Sequence, residues 1–513
     1  MNNQRSHTIL LFQFIICMNI CCKAKQPALE SFHGTYTPEM FGAIGDNIFH
    51  PLSEKFSSLK AAQSIYPNTK DLNISIDGAA FQKAVDAAST NGGGTIICEN
   101  QYVINFPIET KSNVTIDGMG KGKIYNDCSR KKYAHHFAFF IGDHHPVAFN
   151  PNGEIPGAYT FYDVIDKVNV GDRSVAISNF EKYKDSFKVG QFIWLTSKKK
   201  NFQMEYAWLM EQSVTCKITD IKGDRLFFEY PVEEAIDIAQ IGANGGIDRF
   251  MEIRFAAVEN VTIRNLSIDA GNLTNHTWGY HCLIENINLI NTTHFIGLNT
   301  LDHSKIKNIN GTYYKRCIEI KSGTNHLLIQ NIHAEFKSPD KTNTSVGIIS
   351  TGEYNKDIII DSFYIDLKSS NCNQSLITIQ ARNATIKNGI ILAPNHTKAF
   401  IKFYNDYNVS KPEFAAYNNK IQNVVFNGNI NLQQLFIIGD PPDIVEKNQS
   451  DKSAKNVQWP SYNTLENCIM NGGNAKSNAG LYGGKNNKII NCKFSNSTII
   501  YPAIFKKENE IIE

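Results

Sequence analysis

Short runs that alternate between apolar and polar residues recur along most of the chain. In one of them, Ile318 and Ile320 alternate with Glu319 and Lys321. A period of two is typical of a β-strand with one buried face. Gly323 follows and favours a turn before a second apolar run begins. The pattern therefore predicts one strand of a sheet that winds onward after the turn.

The same pattern returns with an Asn or Asp between Ile, Leu or Val residues. Copies occur at 261–268, 305–309, 358–363, 384–390, 420–425, 464–469 and 488–493. The closest copies lie roughly 23 to 30 residues apart, which is typical of solenoid coils. Such coils bury their apolar side chains against neighbouring coils, and Asn in register can form a hydrogen-bonded ladder. We therefore expect an all-β, single-stranded, right-handed parallel β-helix rather than a β-sandwich.

Two segments depart from this repeat. Residues 77–88 have the pattern of an amphipathic helix, which would cover the apolar end and unpaired strand edges of the first coil. Between about 160 and 240, alternating runs are separated by Gly-Asp turns, which predicts a small antiparallel β module inserted into the solenoid. The β-helix domain is expected to occupy residues 27–513.

The start of this domain resembles a known group of proteins. It has Phe-Gly-Ala-Ile-Gly-Asp at 41–46, the predicted helix, three glycines at 92–94, and Tyr102 near the next turn. This order is similar to the opening of pectate-lyase-superfamily proteins and phage tailspikes. The resemblance implies a parallel β-helix with a capping helix at its N-terminal end.

Composition and the N-terminus limit where the protein works. Arg5 followed by the apolar run 9–20 predicts a secretory signal at residues 1–22, too short for a comfortable membrane span. Cys21 and Cys22 would allow a lipoprotein signal and a lipid anchor to a bacterial membrane. We expect an exported protein that is periplasmic, on the cell surface or extracellular. A net charge of +2 gives no sign of nucleic-acid binding, and the 11 Cys show no zinc-type spacing.

Residues 317–323 resemble the core motif of polygalacturonases, which are glycoside hydrolases of the same fold class. The two catalytic aspartates of that family fall on Lys315 and Arg316. A family Asp one coil earlier falls on Leu301, and a family His one coil later on Val346. Inverting hydrolysis needs a pair of carboxyl groups. The resemblance therefore implies the scaffold of this family without its reaction.

Basic and aromatic residues occupy the coils instead. Coils spaced by about 4.8 Å would align their outward residues along a shared groove. The predicted catalytic residues are Lys321, Arg316, His281 and Tyr280. The predicted substrate-binding residues are Arg254, Asn299, Glu319, Gln380, Arg382, Lys402 and Tyr404.

Cations at this spacing suit an acidic polysaccharide. A uronate polymer can be cleaved by β-elimination, which requires neutralisation of the carboxylate, removal of the C5 proton and protonation of the leaving oxygen. Arg or Lys, His, and Tyr can supply these functions. We therefore expect a secreted polysaccharide lyase acting on a glycosaminoglycan or a pectin-like polymer.

Other interpretations stay open at this stage. Glu319 with Asp302 or Glu353 could form a hydrolase pair, and a non-catalytic carbohydrate-binding β-helix is also compatible with the sequence. No metal ligands are predicted; calcium is an option because lyases of this superfamily use it, but Asp361 and Asp366 fit ladder and turn positions. His303, His326 and His333 are expected to be structural. The sequence does not determine the oligomeric state.

Overall fold

The structure is a computed structural model, and most of the chain from residue 34 onward is described in it. The described residues are 34–127, 137–142, 160–163, 168–199, 212–235, 247–253, 258–274, 277–298, 300–320, 323–337, 349–352, 355–367, 372, 375–392, 396–403, 416–427, 431–432, 436–438, 460–471, 480–481, 484–494 and 509–512. The predicted signal at residues 1–22 lies outside them.

The predicted parallel β-helix is confirmed. Strands of successive coils pair in parallel and form one sheet of 22 strands among the described residues. One inward column runs through Ile263, Ile284, Ile306, Ile329 and Ile360, each paired in register with the next. These side chains are at most 1% exposed. Burial of each contributes about 1.5–3 kcal/mol, so the core grows by one layer per coil.

An Asn ladder supports the outer side of the same coils. Asn286 donates through Nδ2 to Asn265 Oδ1 at 2.9 Å, Asn308 to Asn286 at 2.8 Å, and Asn331 to Asn308 at 2.9 Å. All four have positive φ, between 56° and 57°. Asn tolerates this left-handed conformation better than most residues. The ladder expected from the sequence is therefore present, and it explains why the repeat selects Asn.

A helix covers the N-terminal end of the solenoid. It runs over Ile76–Thr90, slightly longer than the predicted 77–88. Ser75 caps its N-terminus by accepting a hydrogen bond from the Gly78 amide. Its Phe81 packs edge-on against Tyr102 of the first coils, with ring centroids 5.6 Å apart. The helix thus buries the apolar end of the first coil, as the fold requires.

An antiparallel sheet of six strands lies between the early coils in the sequence. It has its own core, which includes Val175, Ile193, Leu195, Ile218 and Leu226. We call it the β module. Its strands are Thr160–Asp163, Ser174–Ala176, Phe192–Lys199, Gln212–Lys222, Arg225–Phe228 and Ile247–Ile253.

The strands of the large parallel sheet are Thr35–Tyr36, Gly94–Ile97, Gln101–Ile104, Val114–Asp117, Lys123–Asn126, Thr262–Asp269, Leu283–Leu298, Lys305–Ile320, Asn325–Phe336, Ile349–Thr351, Lys356–Asp366, Ile377–Ile379, Thr385–Leu392, Ile401–Phe403, Lys420–Asn427, Phe436–Ile438, Thr464–Glu466, Ile469–Asn471, Gly480–Leu481, Lys488–Ile490, Lys493–Phe494 and Glu510–Ile512. The smaller parallel sheets contain Val258–Glu259, Trp278–Tyr280 and Thr300–Asp302; Ile108–Glu109 and Phe139–Phe140; and His396–Thr397 and Asn431–Leu432. The remaining helices are Pro38–Phe41, Leu52–Glu54, Leu59–Ile65, Phe180–Tyr183 and Lys184–Ser186.

Two further observations concern the described part of the chain. No helix there is long and apolar enough to cross a membrane. The cysteines that the structure describes are free thiols, and all but Cys492 are buried.

Candidate active site

The candidate site lies at one bend of the coils, where the residue at the bend has a positive φ. We call these residues the bend column. Its members are Asn113, Asn260, His281, His303, His326, Asp357, Asn383, Asn418, Tyr462 and Asn486. The amide of His281 donates to the Asp302 carbonyl at 3.1 Å, and the amide of Asn383 donates to the Tyr417 carbonyl at 3.0 Å. Such bonds keep the column in register from coil to coil.

Histidine interrupts the ladder in the middle of the bend column. Outside the interruption, Asn260 Nδ2 donates to Asn113 Oδ1 at 3.0 Å, and Asn418 Nδ2 donates to Asn383 Oδ1 at 2.9 Å. His281, His303 and His326 follow one another in this column in place of Asn. An imidazole cannot reproduce the amide-to-amide bonds. The three histidines therefore do something other than extend the ladder.

These rings form a compact cluster with Tyr280. The centroids of Tyr280 and His281 lie 4.2 Å apart, and those of Tyr280 and His303 lie 5.0 Å apart. The rings of His303 and His326 are 4.2 Å apart. Tyr280 is buried, whereas His281 is exposed. The cluster thus presents one imidazole to solvent above a buried phenol.

The β module packs along this bend and forms one wall of the site. Tyr230 lies over Tyr280 with ring centroids 6.3 Å apart and is 48% exposed. Glu233 contacts His303, with Oε1 3.1 Å from Nε2. The next residue, Glu234, pairs with Arg382 at 2.5 Å. The module therefore adds an exposed aromatic surface and a carboxylate to the column.

Carboxylates control the charge of the two deeper histidines. Burial alone would lower the pKa of His303, but hydrogen bonds to Asp302 and Glu233 outweigh it and raise the pKa to about 10. Burial likewise opposes the charged form of His326, yet Asp302 and Asp357 raise its pKa to about 9. The two histidines in turn hold the pKa of Asp302 below its usual range, although burial acts in the opposite direction.

Tyr280 and His281 are shifted in the directions that keep both neutral. Burial lowers the pKa of His281, and the neighbouring charge of His303 lowers it further. Burial raises the pKa of Tyr280 well above its usual value, with the charges of Asp302 and Glu233 adding to the effect. A neutral imidazole can accept a proton, and a neutral phenol can donate one. The pair thus contains the two groups that acid–base chemistry requires.

The structure brings together only part of the predicted catalytic set. Tyr280 is the last residue of a strand in the short three-stranded sheet, and His281 follows it at the bend. Arg316 lies in the large parallel sheet, where its guanidinium forms an ion pair with Glu319 of the same strand. His294 of the preceding coil also lies near Glu319, with Nδ1 3.7 Å from Oε2. Lys321 lies outside the described residues.

The predicted substrate-binding residues fall into three groups. Glu319 and Lys402 share one register on the large sheet, with Ser350 and Thr378 between them. Gln380 follows the strand Ile377–Ile379, and its backbone amide donates to the Thr351 carbonyl. Arg382 lies at the bend and pairs with Glu234 of the module. Arg254, Asn299 and Tyr404 lie outside the described residues, as does Glu353.

The sequence did not single out His303, His326, Glu233 or Asp357 for chemistry. One available signal was the spacing, because both histidines follow His281 at the coil spacing of the Asn ladder, 22 and 23 residues. A second was the position in the coil, since Asn holds the same place at Asn260 before the histidines and at Asn383 after Asp357. Glu233 gave no local signal, because it reaches His303 from 70 residues away.

The chain was also compared with known proteins. No protein-family model and no curated protein matches it. Several solved structures are similar in fold. The tailspike protein gp49 of Pseudomonas phage LKA1 is 12% identical with a TM-score of 0.38, covering 90% of this chain and 82% of that one. The mannuronan C-5 epimerase AlgE6 A-module of Azotobacter vinelandii is 12% identical with a TM-score of 0.40, covering 93% and 97%.

The surface adhesin PfbA of Streptococcus pneumoniae is a third, with 12% identity, a TM-score of 0.43, and coverage of 89% of this chain and 85% of that one. These similarities are distant and assign no activity to this chain. The parallel β-helix is established by the strand pairing described above. The resemblance to the pectate-lyase superfamily stays an expectation from the sequence.

Proposed function

We propose that this protein is an exported polysaccharide lyase that cleaves a uronic-acid-containing polysaccharide by β-elimination at the bend column. The observation that carries the proposal is the Tyr280–His281 pair, with ring centroids 4.2 Å apart. His281 is exposed, and Tyr230 of the module offers an aromatic surface beside it. A sugar ring that packs on Tyr230 would bring its reacting carbon to this pair.

Each step of the elimination has a candidate group in the cluster. His281 would remove the proton from C5, and Tyr280 would protonate the oxygen that leaves C4. The C5–H bond and the C4–O bond both break, and a C4–C5 double bond forms, so that no water is consumed. Positive charge at His303 and His326 would offset the charge that develops on the uronate carboxylate.

The environment of the acidic residues favours elimination over hydrolysis. A hydrolase needs two carboxyl groups that reach the sugar from opposite sides. The Asp302 side chain is only 4% exposed and is in contact with both His303 and His326. The Glu319 side chain is 9% exposed and is paired with Arg316. Both carboxylates are thus held in ion pairs with cationic side chains, which is the observation that argues against their use as a hydrolase pair.

The other site predictions are kept as part of this proposal. Lys321 and Arg316 are proposed to contact the acidic polymer, which for Arg316 requires its ion pair with Glu319 to open. Lys402, together with Ser350 and Thr378 in the same register, is proposed to contact more distant sugars. The exact polysaccharide, export, a lipid anchor and a calcium requirement stay predictions.

The decisive experiment is an assay for unsaturated product on a panel of acidic polysaccharides. Wild type should produce the ultraviolet absorbance of a C4–C5 double bond with at least one of them. Tyr280→Phe keeps the packed ring and loses the proton donor, and His281→Asn substitutes the residue usual at this bend. Each should reduce kcat by about 10²- to 10⁴-fold, because each removes one acid–base group.

His333→Asn is a matched control. His333 is exposed and stacks on Tyr364 of the next coil, away from the bend column. This variant should keep wild-type activity. New reducing ends without ultraviolet absorbance would show hydrolysis and overturn the proposal. Wild-type rates in both Tyr280→Phe and His281→Asn would overturn the assignment of the pair.

A further inference from the structure

Glu233, His303 and His326 direct three ligand-type atoms toward one point of the bend column. Glu233 Oε1 lies 3.1 Å from His303 Nε2, and Glu233 Oε2 lies 3.5 Å from His326 Nε2. One ligand atom from each of the three residues lies within 4.8 Å of the other two. We propose that these residues bind a divalent transition-metal ion of the zinc type. The proposal does not depend on the lyase activity; the ion would displace the Nε2 protons of both imidazoles and would itself supply the positive charge at this point.

The separation of each histidine nitrogen from the Glu233 carboxylate is compatible with a shared tetrahedral metal. Zinc binds His nitrogen and carboxylate oxygen at about 2.0–2.2 Å, so neighbouring ligands of a tetrahedral site are about 3.4 Å apart. The two observed nitrogen–oxygen distances, 3.1 and 3.5 Å, lie on either side of this value. Because these distances involve the two different oxygens of Glu233, enclosing an ion would require the carboxylate to turn and the two rings to draw together.

Asp302 holds both imidazoles from the opposite side. Its Oδ1 lies 3.0 Å from His303 Nδ1 and 3.5 Å from His326 Nδ1. The Asp302 side chain is only 4% exposed. A carboxylate behind a metal-binding His takes the proton of one ring nitrogen and leaves the other nitrogen to the metal. Asp302 makes this hydrogen bond to His303 and lies close to the same nitrogen of His326, and the Nε2 atoms of both rings lie beside Glu233.

The scaffold does not require these histidines. Asn occupies the same bend in five of the ten described members of the column and forms ladder bonds there, whereas His303 and His326 break the ladder in the two coils that Glu233 reaches. Asp357, in the next coil, places Oδ2 3.3 Å from His326 Nε2 and offers a further oxygen. Two nitrogens with carboxylate oxygens suit zinc and its neighbours in the first transition row better than calcium or magnesium.

The proposal is tested by zinc binding rather than by activity. The full chain is freed of metal with EDTA and titrated with zinc chloride by calorimetry. We expect saturable binding of one equivalent and a higher Tm with zinc. His303→Asn/His326→Asn substitutes the usual ladder residue in both coils and should weaken binding by about 100-fold or more. Asp302→Asn should weaken it by about 10- to 100-fold, because only the support behind the rings is changed.

His281→Asn provides the control, since it alters the neighbouring coil and removes the proposed base. It should bind zinc like wild type, so that failure of the metal proposal and failure of the lyase proposal are distinguishable. Cobalt(II) bound to the wild type should give the intense visible bands of a tetrahedral site. Absence of saturable zinc binding, equal binding by the His303→Asn/His326→Asn variant, or a preference for calcium would each overturn the inference.

Discussion

At the residue scale, Asp117 shows how one buried side chain connects two coils that are far apart in sequence. Its Oδ2 accepts a hydrogen bond from Arg264 at 2.7 Å, and its Oδ1 accepts bonds from Asn265 at 3.0 Å and the Met119 amide at 2.9 Å. Burial raises the pKa of Asp117, but these bonds outweigh it and leave the pKa below its usual value. The ionised carboxylate is therefore bound more strongly in the folded state than the neutral acid.

We expect Asp117→Ala to lower the free energy of unfolding by about 1–3 kcal/mol at pH 7, because charge-assisted hydrogen bonds are lost. A lowered native pKa adds stability above the unfolded value of about 3.9. That stability disappears as the pH falls through the native pKa, so the difference between variant and wild type should shrink below about pH 4. Urea unfolding at pH 7 and at pH 3 measures both effects.

Glu99→Ala is the matched control for Asp117→Ala. Glu99 forms an ion pair with Lys121 at 3.5 Å, but both side chains are well exposed. Exposed pairs contribute little, so this variant should behave like wild type at both pH values. Equal losses in Glu99→Ala and Asp117→Ala would contradict the role given to burial.

At the scale of the element, each Asn of the ladder has two roles: it adopts a left-handed backbone conformation, and its side chain hydrogen-bonds to the neighbouring coils. Asn308 has φ of 56°, donates to Asn286 and accepts from Asn331. The backbone conformation and the two hydrogen bonds occur at the same bend, yet they contribute separately to the stability of the coil. The His-containing bend column shows that they can be separated, since its histidines keep the positive φ and lose the ladder.

Substitutions at Asn308 should resolve the two contributions. Asn308→Gly keeps the left-handed backbone without strain but loses both ladder bonds, each worth about 0.5–1.5 kcal/mol. Asn308→Ala loses the same bonds and must also hold a left-handed φ, which costs about 1 kcal/mol more. We therefore expect the unfolding free energy to fall in the order wild type, glycine variant, alanine variant. Greater stability of the alanine variant would contradict this explanation.

At the scale of the whole molecule, the β module is joined to the coils by buried charge. Glu234 lies 2.5 Å from Arg382 and 3.3 Å from Lys356, although Arg382 is 148 residues away in sequence. All three side chains are no more than 15% exposed. Tyr230 and Glu233 lie in the same short segment as Glu234 and also contact the bend column, so this ion cluster helps to position both of them.

We expect Glu234→Ala to lower the unfolding free energy by about 3–5 kcal/mol, because two buried cations would lose the Glu234 carboxylate. Residues 225–235 should then exchange amide hydrogen faster, as the module loosens from the bend. Changing Lys356 and Arg382 to Met in the same variant should restore much of the stability, since the two buried positive charges are then removed with the negative one. Urea unfolding and hydrogen exchange measure these outcomes.

Glu181→Ala serves as the control within the module. Glu181 pairs with Lys184 at 2.9 Å on a fully solvated surface, where its side chain is 83% exposed. Such a pair should contribute little. If Glu234→Ala changed neither stability nor exchange more than Glu181→Ala, the ion cluster would not be what holds the module.

The architecture could be predicted from the sequence because its determinants are local and repeated. Ile306 indicates an inward-facing position and Asn308 a left-handed bend, within three residues of each other. The same pair of signals recurs along the coils. The capping helix and the β module could likewise be predicted, because the spacing of apolar residues changes in both segments. Of the candidate site, Tyr280 and His281 were found because they are adjacent in sequence and chemically distinctive.

The rest of the site was decided only by tertiary structure. Glu233 contacts His303 and His326 because the β module packs against the coils. Glu233 and His303 are 70 residues apart in sequence, and the local pattern of apolar and polar residues does not indicate such a contact. The charge state of Asp302 depends on two rings supplied by later coils. From the sequence, Arg316 was predicted to be a cation available to substrate at the entry of a strand. In the folded protein it forms an ion pair with Glu319. Local patterns determine how a chain winds, whereas the partners of its charges depend on which distant segments are brought together.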